Sequence, residues 1–405
     1  MKIENRFLKY ISFDTQSDES SSSNPSTAKQ KVLGDFLAEE MRILKFENVV
    51  MDEYGIVYGT IPGNTDKGDV IGFIAHMDTS PETSGLNVNP QVIRNYDGSV
   101  ITINEELNMY LDPLENPELN HLLHHDLITT DGTTLLGADD KAGIAIIMSM
   151  AEYLYRHPEF KHNDIRVAFT CDEEIGRGSD HFNIERFHAD YAYTVDGGDI
   201  EEFSYENFNA YKADIIITGK NVHPGAAKNK MINALTLARD FDVLLGDIHR
   251  PEHTDNYDGF YHLINMSGDV SHVSMHYILR EHNKEKLYQL IANMDKAKEY
   301  LNDIYGERIS IHYTKQYENM REIIESYPHI TKQVEIAMLD NNMTPHINPT
   351  RGGTDGAMLS FKGLPCPNLG TGGYNYHGPY EFVSITSMKK GVELLLTIIK
   401  NNVRG

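Results

Sequence analysis

Val70-Ile71-Gly72-Phe73-Ile74-Ala75 is an apolar run of strand length, and it ends in His76-Met77-Asp78. A continuous apolar run without polar alternation predicts a strand buried on both faces, in a sheet covered by helices. The surrounding sequence repeats the theme. Upstream, 56–61 reads as a strand, preceded by a helix in which Val32, Leu33, Phe36, Leu37, Met41 and Leu44 recur at helical spacing. Thr27 and Gln30 before it have the spacing of a capping box. The polar stretch 17–26, after a short opening helix, reads as a surface loop. Downstream, 142–155 reads as a helix stopped before Pro158, and 165–170 and 191–195 as further strands. Strands alternating with helices predict an α/β sandwich around a largely parallel or mixed sheet.

From about residue 209 the rhythm changes. Strand 213–218, helix 231–245, strands 260–266 and 273–279, helix 284–304 and strand 308–314 follow in order. That βαββαβ order predicts a small ferredoxin-like domain. It interrupts the first, because helix 329–339 and the Gly-rich segment after it can rejoin the first sheet. The expected division is 1–207 and 321–405 for the α/β domain and 208–320 for the insertion.

Composition excludes several classes of function. At 405 residues two domains are expected, and 24% charged against 40% hydrophobic residues is an ordinary soluble balance. No apolar run approaches the roughly 18 residues of a membrane span. Charges spread through MKIENRFLKYISFDTQ argue against a secretory signal, and Cys171 and Cys366 alone make no disulfide framework, so a reducing cytosol is expected. A formal net charge of −24 argues against nucleic acid as a partner. Most of that excess reads as surface solubility. Part of it is open to a second reading, carboxylates gathered around a metal.

Five clusters bear on that second reading. His76 and Asp78 alternate to one side of a strand end, which suits a metal ligand and the group that orients it. A strand-end His in a polar loop is the plainer alternative. Asp139-Asp140-Lys141 opens an apolar helix between Gly137 and Gly143. Acids cap helix starts commonly, yet glycines that admit close backbone approach also suit a bridging ligand. Asp172-Glu173-Glu174 directly follows a strand. Three consecutive acids repel unless they are solvated or a cation gathers them. Asp196 ends another β-rich run, and His377 lies in the Gly-rich loop 372–378. Each signal is weak alone. Together they cluster at or beside the C-terminal ends of α/β strands, where open sheets build sites.

The motifs AHMDT, GADDKAG, DEEIGRG, VDGG, NVHPG, RGGTDGAMLS and GGYNYHGPYE, in this order over nearly the whole chain, resemble those of the dizinc M20 metallopeptidases. The likeness is strongest to members that remove the N-terminal residue from tripeptides. It implies a catalytic α/β domain interrupted by a lid, and two Zn2+ per subunit, with Co2+ or Mn2+ as substitutes. His76 and Asp196 would hold one ion, Glu174 and His377 the other, and Asp139 would bridge them. Asp78 would orient His76, Glu173 would serve as general base, and the Asp139–Asp140 bond would be cis. His223 of NVHPG is the implied oxyanion donor. Arg280 and Arg351 are candidates for binding the peptide carboxylate, and Thr354 and Asp355 for meeting the peptide backbone or amine. The lid is a candidate surface for a homodimer. A dipeptidase, carboxypeptidase or N-acyl amino acid deacylase would share the same metal site, as would a non-catalytic metal-dependent peptide binder, although the latter has no use for Glu173.

Overall fold

A computed structural model describes residues 1–404. They form two compact units: Met1–Tyr205 with Arg321–Asn348 and the residues from Thr354 on, and Glu206–Met320 with Pro349–Gly353.

The first unit is built on a mixed sheet of eight strands among the described residues, in the order Glu47–Met51, Val57–Ile61, Ile165–Thr170, Ile71–His76, Tyr191–Gly197, Asn368–Gly370, Glu202–Ser204 and His346–Ile347. Ile71–His76 lies between Ile165–Thr170 and Tyr191–Gly197 and is parallel to both. Every residue of it is buried, as its apolar run predicts. Gly72 belongs there because a Cβ would come 2.4 Å from the Phe187 ring. Three neighbouring parallel strands therefore deliver His76, the segment after Thr170, and Asp196 to the same, C-terminal end of the sheet.

The helix Ala138–Arg156 runs behind these strands and packs on Ile71–His76, Tyr191–Gly197 and the helices Ile3–Ile11 and Ile385–Arg404. It is apolar almost all round: Ile144, Ile146, Ile147, Met148, Met150 and Leu154 are buried. Each such side chain contributes roughly 1.5–3 kcal/mol on leaving water. Arg6, 2% exposed, ties three helices together. It reaches Glu40 at 2.8 Å, Glu152 at 2.8 Å and Ser149 at 3.0 Å.

The expected capping box does not form. The helix Gln30–Ile43 starts after Lys29, and the Thr27 hydroxyl donates to the Gln16 carbonyl instead. Nor is 17–26 simply a surface loop, since Ser17 and Ser26 are buried. A small antiparallel sheet, Gly373–Tyr374, Phe382–Ser384, Leu127–Thr129 and Gln91–Ile93, carries the loop that bears His377.

In the second unit the antiparallel order is Phe260–Gly268, His272–Glu281, Asn209–Thr218 and Ile309–Tyr317. With the helices Ala234–Leu245 and Lys284–Tyr305, this is the βαββαβ arrangement read from the sequence. Alternation sorts its faces: Val273, Met275, Tyr277 and Leu279 are buried against Leu237, Phe241, Leu287 and Met294. Asn233 and Asn283 cap the two helices by accepting from Leu235 N–H and Lys286 N–H. Pro349–Gly353, expected with 321–405, groups with this unit; Thr350 N–H donates to the Glu206 carbonyl at 2.8 Å.

Candidate metal centre

His76 leaves the central strand with its ring buried. Its Nδ1 lies 3.1 Å from the Asp78 carbonyl and 3.4 Å from Asp78 Oδ1. That leaves Nε2 to face Asp139 Oδ1 at 2.8 Å and Asp196 Oδ1 at 3.4 Å. The other oxygen of Asp139, Oδ2, lies 3.4 Å from His377 Nε2, and His377 Nε2 is also 2.9 Å from Glu174 Oε2. One carboxylate thus stands between two imidazoles, each with a further carboxylate beside it. Residues 76, 139, 174, 196 and 377 converge on one place.

The backbone builds this locally. Gly137 takes φ +82°, the Asp139–Asp140 peptide is cis, and both aspartates have non-helical angles before the helix continues. Asp140 turns inward: its oxygens accept from His76 N–H at 3.2 Å and Gly143 N–H at 3.1 Å. After Thr170 the chain turns at Asp172, φ +63°. Asp172 is buried and accepts from Ser26 N–H at 2.6 Å and Gln30 Nε2 at 2.6 Å. Of the three consecutive acids, Asp172 therefore turns away to Ser26 and Gln30, while Glu173 and Glu174 follow on the turn beside the site. The fully buried Asp78 carboxylate accepts Glu173 N–H at 3.0 Å and Glu174 N–H at 3.1 Å. It grips the turn that presents both glutamates as well as lying against His76.

The electrostatics are those of a site short of positive charge. Burial pushes the Glu174 carboxyl up to about 8, helped by Asp139, and that of Asp196 up to about 6. Burial likewise holds Glu173 well above the usual carboxylate range. Hydrogen bonds to the Asp139 and Glu174 carboxylates push His377 up to about 11. Glu174 Oε1 is buried with no hydrogen-bond partner. An orphaned carboxylate oxygen beside two imidazoles and a shared aspartate fits a hard-to-borderline divalent cation. His76, Asp139 and Glu174 offer ligand atoms within 4.8 Å of one another, as do His76, Asp140 and Asp196.

The other expected residues are placed as follows. Thr354 caps the helix Asp355–Phe361, accepting from Ala357 N–H at 3.1 Å. Asp355 is buried and accepts from the Thr170 hydroxyl at 2.9 Å. In the second unit His223 is exposed, and its Nδ1 accepts from Gly225 N–H at 3.1 Å. Arg280 donates to the carbonyls of Leu279 at 3.0 Å and Tyr211 at 3.3 Å. Arg351 donates to Asn256 O at 2.8 Å, Asp258 O at 3.0 Å and Thr254 Oγ1 at 3.0 Å, and lies over Phe208 and Phe260. The hydrogen-bonding roles of Asp140, Asp172 and Glu381 are not legible in the sequence. All three lie in or beside quoted motifs, but only their partners distant in sequence reveal what they hold.

Comparison with known proteins bears on the family. The chain is 49% identical over 401 residues to the peptidase T of Bacillus subtilis, covering 98% of each. It is 50% identical over 397 residues to that of Geobacillus kaustophilus, covering 98% of this chain and 97% of the relative. The fold matches a crystal structure of an aminopeptidase PepT from Bacillus cereus with a TM-score of 0.78 at 24% identity, over 100% of this chain and 98% of that one. It also matches a dinuclear metal-binding peptidase from Bacillus subtilis with a TM-score of 0.65 at 13% identity, over 99% and 98%. Residues 124–401 match the model of peptidase family M20/M25/M40. By that match and by these relatives, the chain is a member of that peptidase family.

Proposed function

We propose that the chain is a cytosolic, zinc-dependent aminopeptidase that removes the N-terminal residue from tripeptides. The observation that carries this reading is Asp139, with one oxygen against His76 and the other against His377. One cation would be held by His76, Asp196 and Asp139, the second by Glu174, His377 and Asp139. Imidazoles and carboxylates without thiolate suit Zn2+, and accept Co2+ or Mn2+. Such a pair, when bound, acidifies a water and polarises the scissile carbonyl. Glu173 is the general base: its carboxylate takes the proton of the attacking water and hands it to the leaving amine. Asp78 sets its position through the Glu173 N–H. The free, buried Cys171 and Cys366 suit a reducing compartment.

Relatives named peptidase T and aminopeptidase support the substrate class. His223 is proposed as the donor to the tetrahedral oxyanion, and Arg280 and Arg351 as the cations that meet the peptide carboxylate. Thr354 and Asp355 are proposed to meet the peptide backbone or amine.

The test is a panel of a free tripeptide, its C-terminal amide, a dipeptide and an N-acetyl amino acid, run on wild type and Glu173→Gln with metal content measured for both. The free tripeptide should be cleaved best, releasing its N-terminal residue. Glu173→Gln should lose roughly 10²–10⁴-fold in kcat while retaining its metal. Preference for the N-acetyl substrate, or a Glu173→Gln enzyme within tenfold of wild type, would overturn the reading.

A further inference from the structure

Glu381 ends the loop that carries His377 and is 1% exposed. Every hydrogen bond that its carboxylate accepts comes from the backbone of one distant segment. Oε2 accepts from Leu136 N–H at 2.7 Å and Gly137 N–H at 2.8 Å, while Oε1 accepts from Asp139 N–H at 3.1 Å. These amides lie on the segment that leads into the helix Ala138–Arg156: Leu136 and Gly137 precede it, and Asp139 has non-helical angles. Buried backbone N–H groups need an acceptor, and outside a regular helix or strand a side chain has to supply it. Here it comes from 242 to 245 residues further along the chain.

We infer that Glu381 is a positioning residue for the bridging carboxylate: it fixes the Asp139 backbone so that Oδ1 faces His76 while Oδ2 faces His377. The inference rests on the reading of Asp139 as the ligand shared by two cations. The loop of Glu381 also bears His377, so one short segment supplies a ligand to one ion and aligns the ligand common to both. The three acceptor contacts divide unequally, two on one oxygen and one on the other. That division decides what a substitution does.

Glu381→Gln keeps the shape but replaces one acceptor oxygen with an amide donor. The remaining oxygen retains the most bonds by staying with Leu136 and Gly137. The new NH2 then points at Asp139 N–H, donor against donor, and the aspartate is what moves. Groups that orient metal ligands typically change metal affinity by about 10–100-fold when altered. Glu381→Asp retains two acceptor oxygens on a shorter arm and should lose less.

The experiment is Co2+ titration of metal-free wild type, Glu381→Gln and Glu381→Asp against a competing chelator, read by the visible absorption of bound Co2+, with apo-protein melting curves alongside. The expected result is a 10–100-fold weaker affinity and an altered Co2+ spectrum for Glu381→Gln, with Glu381→Asp intermediate. A Glu381→Gln protein that binds Co2+ as tightly as wild type, with the same spectrum, would overturn the inference even if its melting temperature falls. Equal losses in both variants would overturn it too, since packing rather than acceptor geometry would then be at issue. If wild type itself takes up no Co2+, the failure belongs to the metal-centre reading, and the inference falls with it.

Discussion

Gly143→Ala is the substitution whose consequence can be worked most directly from distances. Gly143 sits near the start of the Ala138–Arg156 helix, where that helix presses on the strand Tyr191–Gly197. A Cβ there would lie 1.8 Å from the Val195 carbonyl oxygen and 2.5 Å from Asp140 Oδ1. Reaching even 3.0 Å from Val195 requires a retreat of about 1.2 Å by the helix or the strand, since both contacts are with atoms fixed in place. Val195 precedes Asp196, and Asp140 grips the His76 N–H. The shift is therefore delivered to both partners of one proposed cation. Helix propensity alone would favour Ala by about 1 kcal/mol. Overpacking of this kind costs about 1–3 kcal/mol, so the net change should be destabilising. A displacement near 1 Å at a reacting site costs on the order of 10²-fold in rate. Urea denaturation, metal titration and tripeptide turnover of Gly143→Ala measure all three. A variant as stable as wild type, with unchanged metal affinity, would refute the reasoning.

Arg6→Met removes the buried cation shared by Glu40 and Glu152 and should destabilise the first unit by about 3–5 kcal/mol in chemical denaturation; a change below about 0.5 kcal/mol would count against a structural role for that triad. Burial alone would raise the Glu152 carboxyl, but hydrogen bonds from the chain's amino terminus and Arg6 outweigh it and hold it at about 2, against an ordinary 4.5. A carboxyl depressed on folding stabilises above its unfolded value, and that contribution is lost as pH falls through the folded one. The stability gap between wild type and Glu152→Gln should thus be constant above pH 4.5 and narrow toward pH 2. A gap that stays flat across that range would show the carboxylate charge to be irrelevant.

Much of this architecture is legible in the sequence because the decisive strands have unambiguous patterns. Residues 165–170 coincide with the strand Ile165–Thr170, and 273–279 falls inside His272–Glu281, because large apolar residues recur at every second position: Ile165, Val167 and Phe169 in one, Val273, Met275, Tyr277 and Leu279 in the other. The short strands Glu202–Ser204, Asn368–Gly370 and His346–Ile347 could not be read, since two or three residues show no period. Thr27 and Gln30 have the spacing of a cap, but Gln30 is drawn away by Asp172, 142 residues distant. The acids at 172–174 look equivalent as text. A left-handed turn at Asp172 separates them, sending one toward Ser26 and two toward the metal centre. Glu381 stood in plain view within GGYNYHGPYE. Its partners are backbone amides, which leave no trace in residue identity.

The most direct measurement is the metal stoichiometry of the purified, metal-saturated protein by elemental analysis, for wild type and Asp139→Asn. Two equivalents per wild-type chain, falling to one or none in Asp139→Asn together with tripeptide cleavage, is the predicted result. One equivalent or fewer in saturated wild type, or two bound with unchanged affinity in Asp139→Asn, would contradict a pair of cations joined by that side chain.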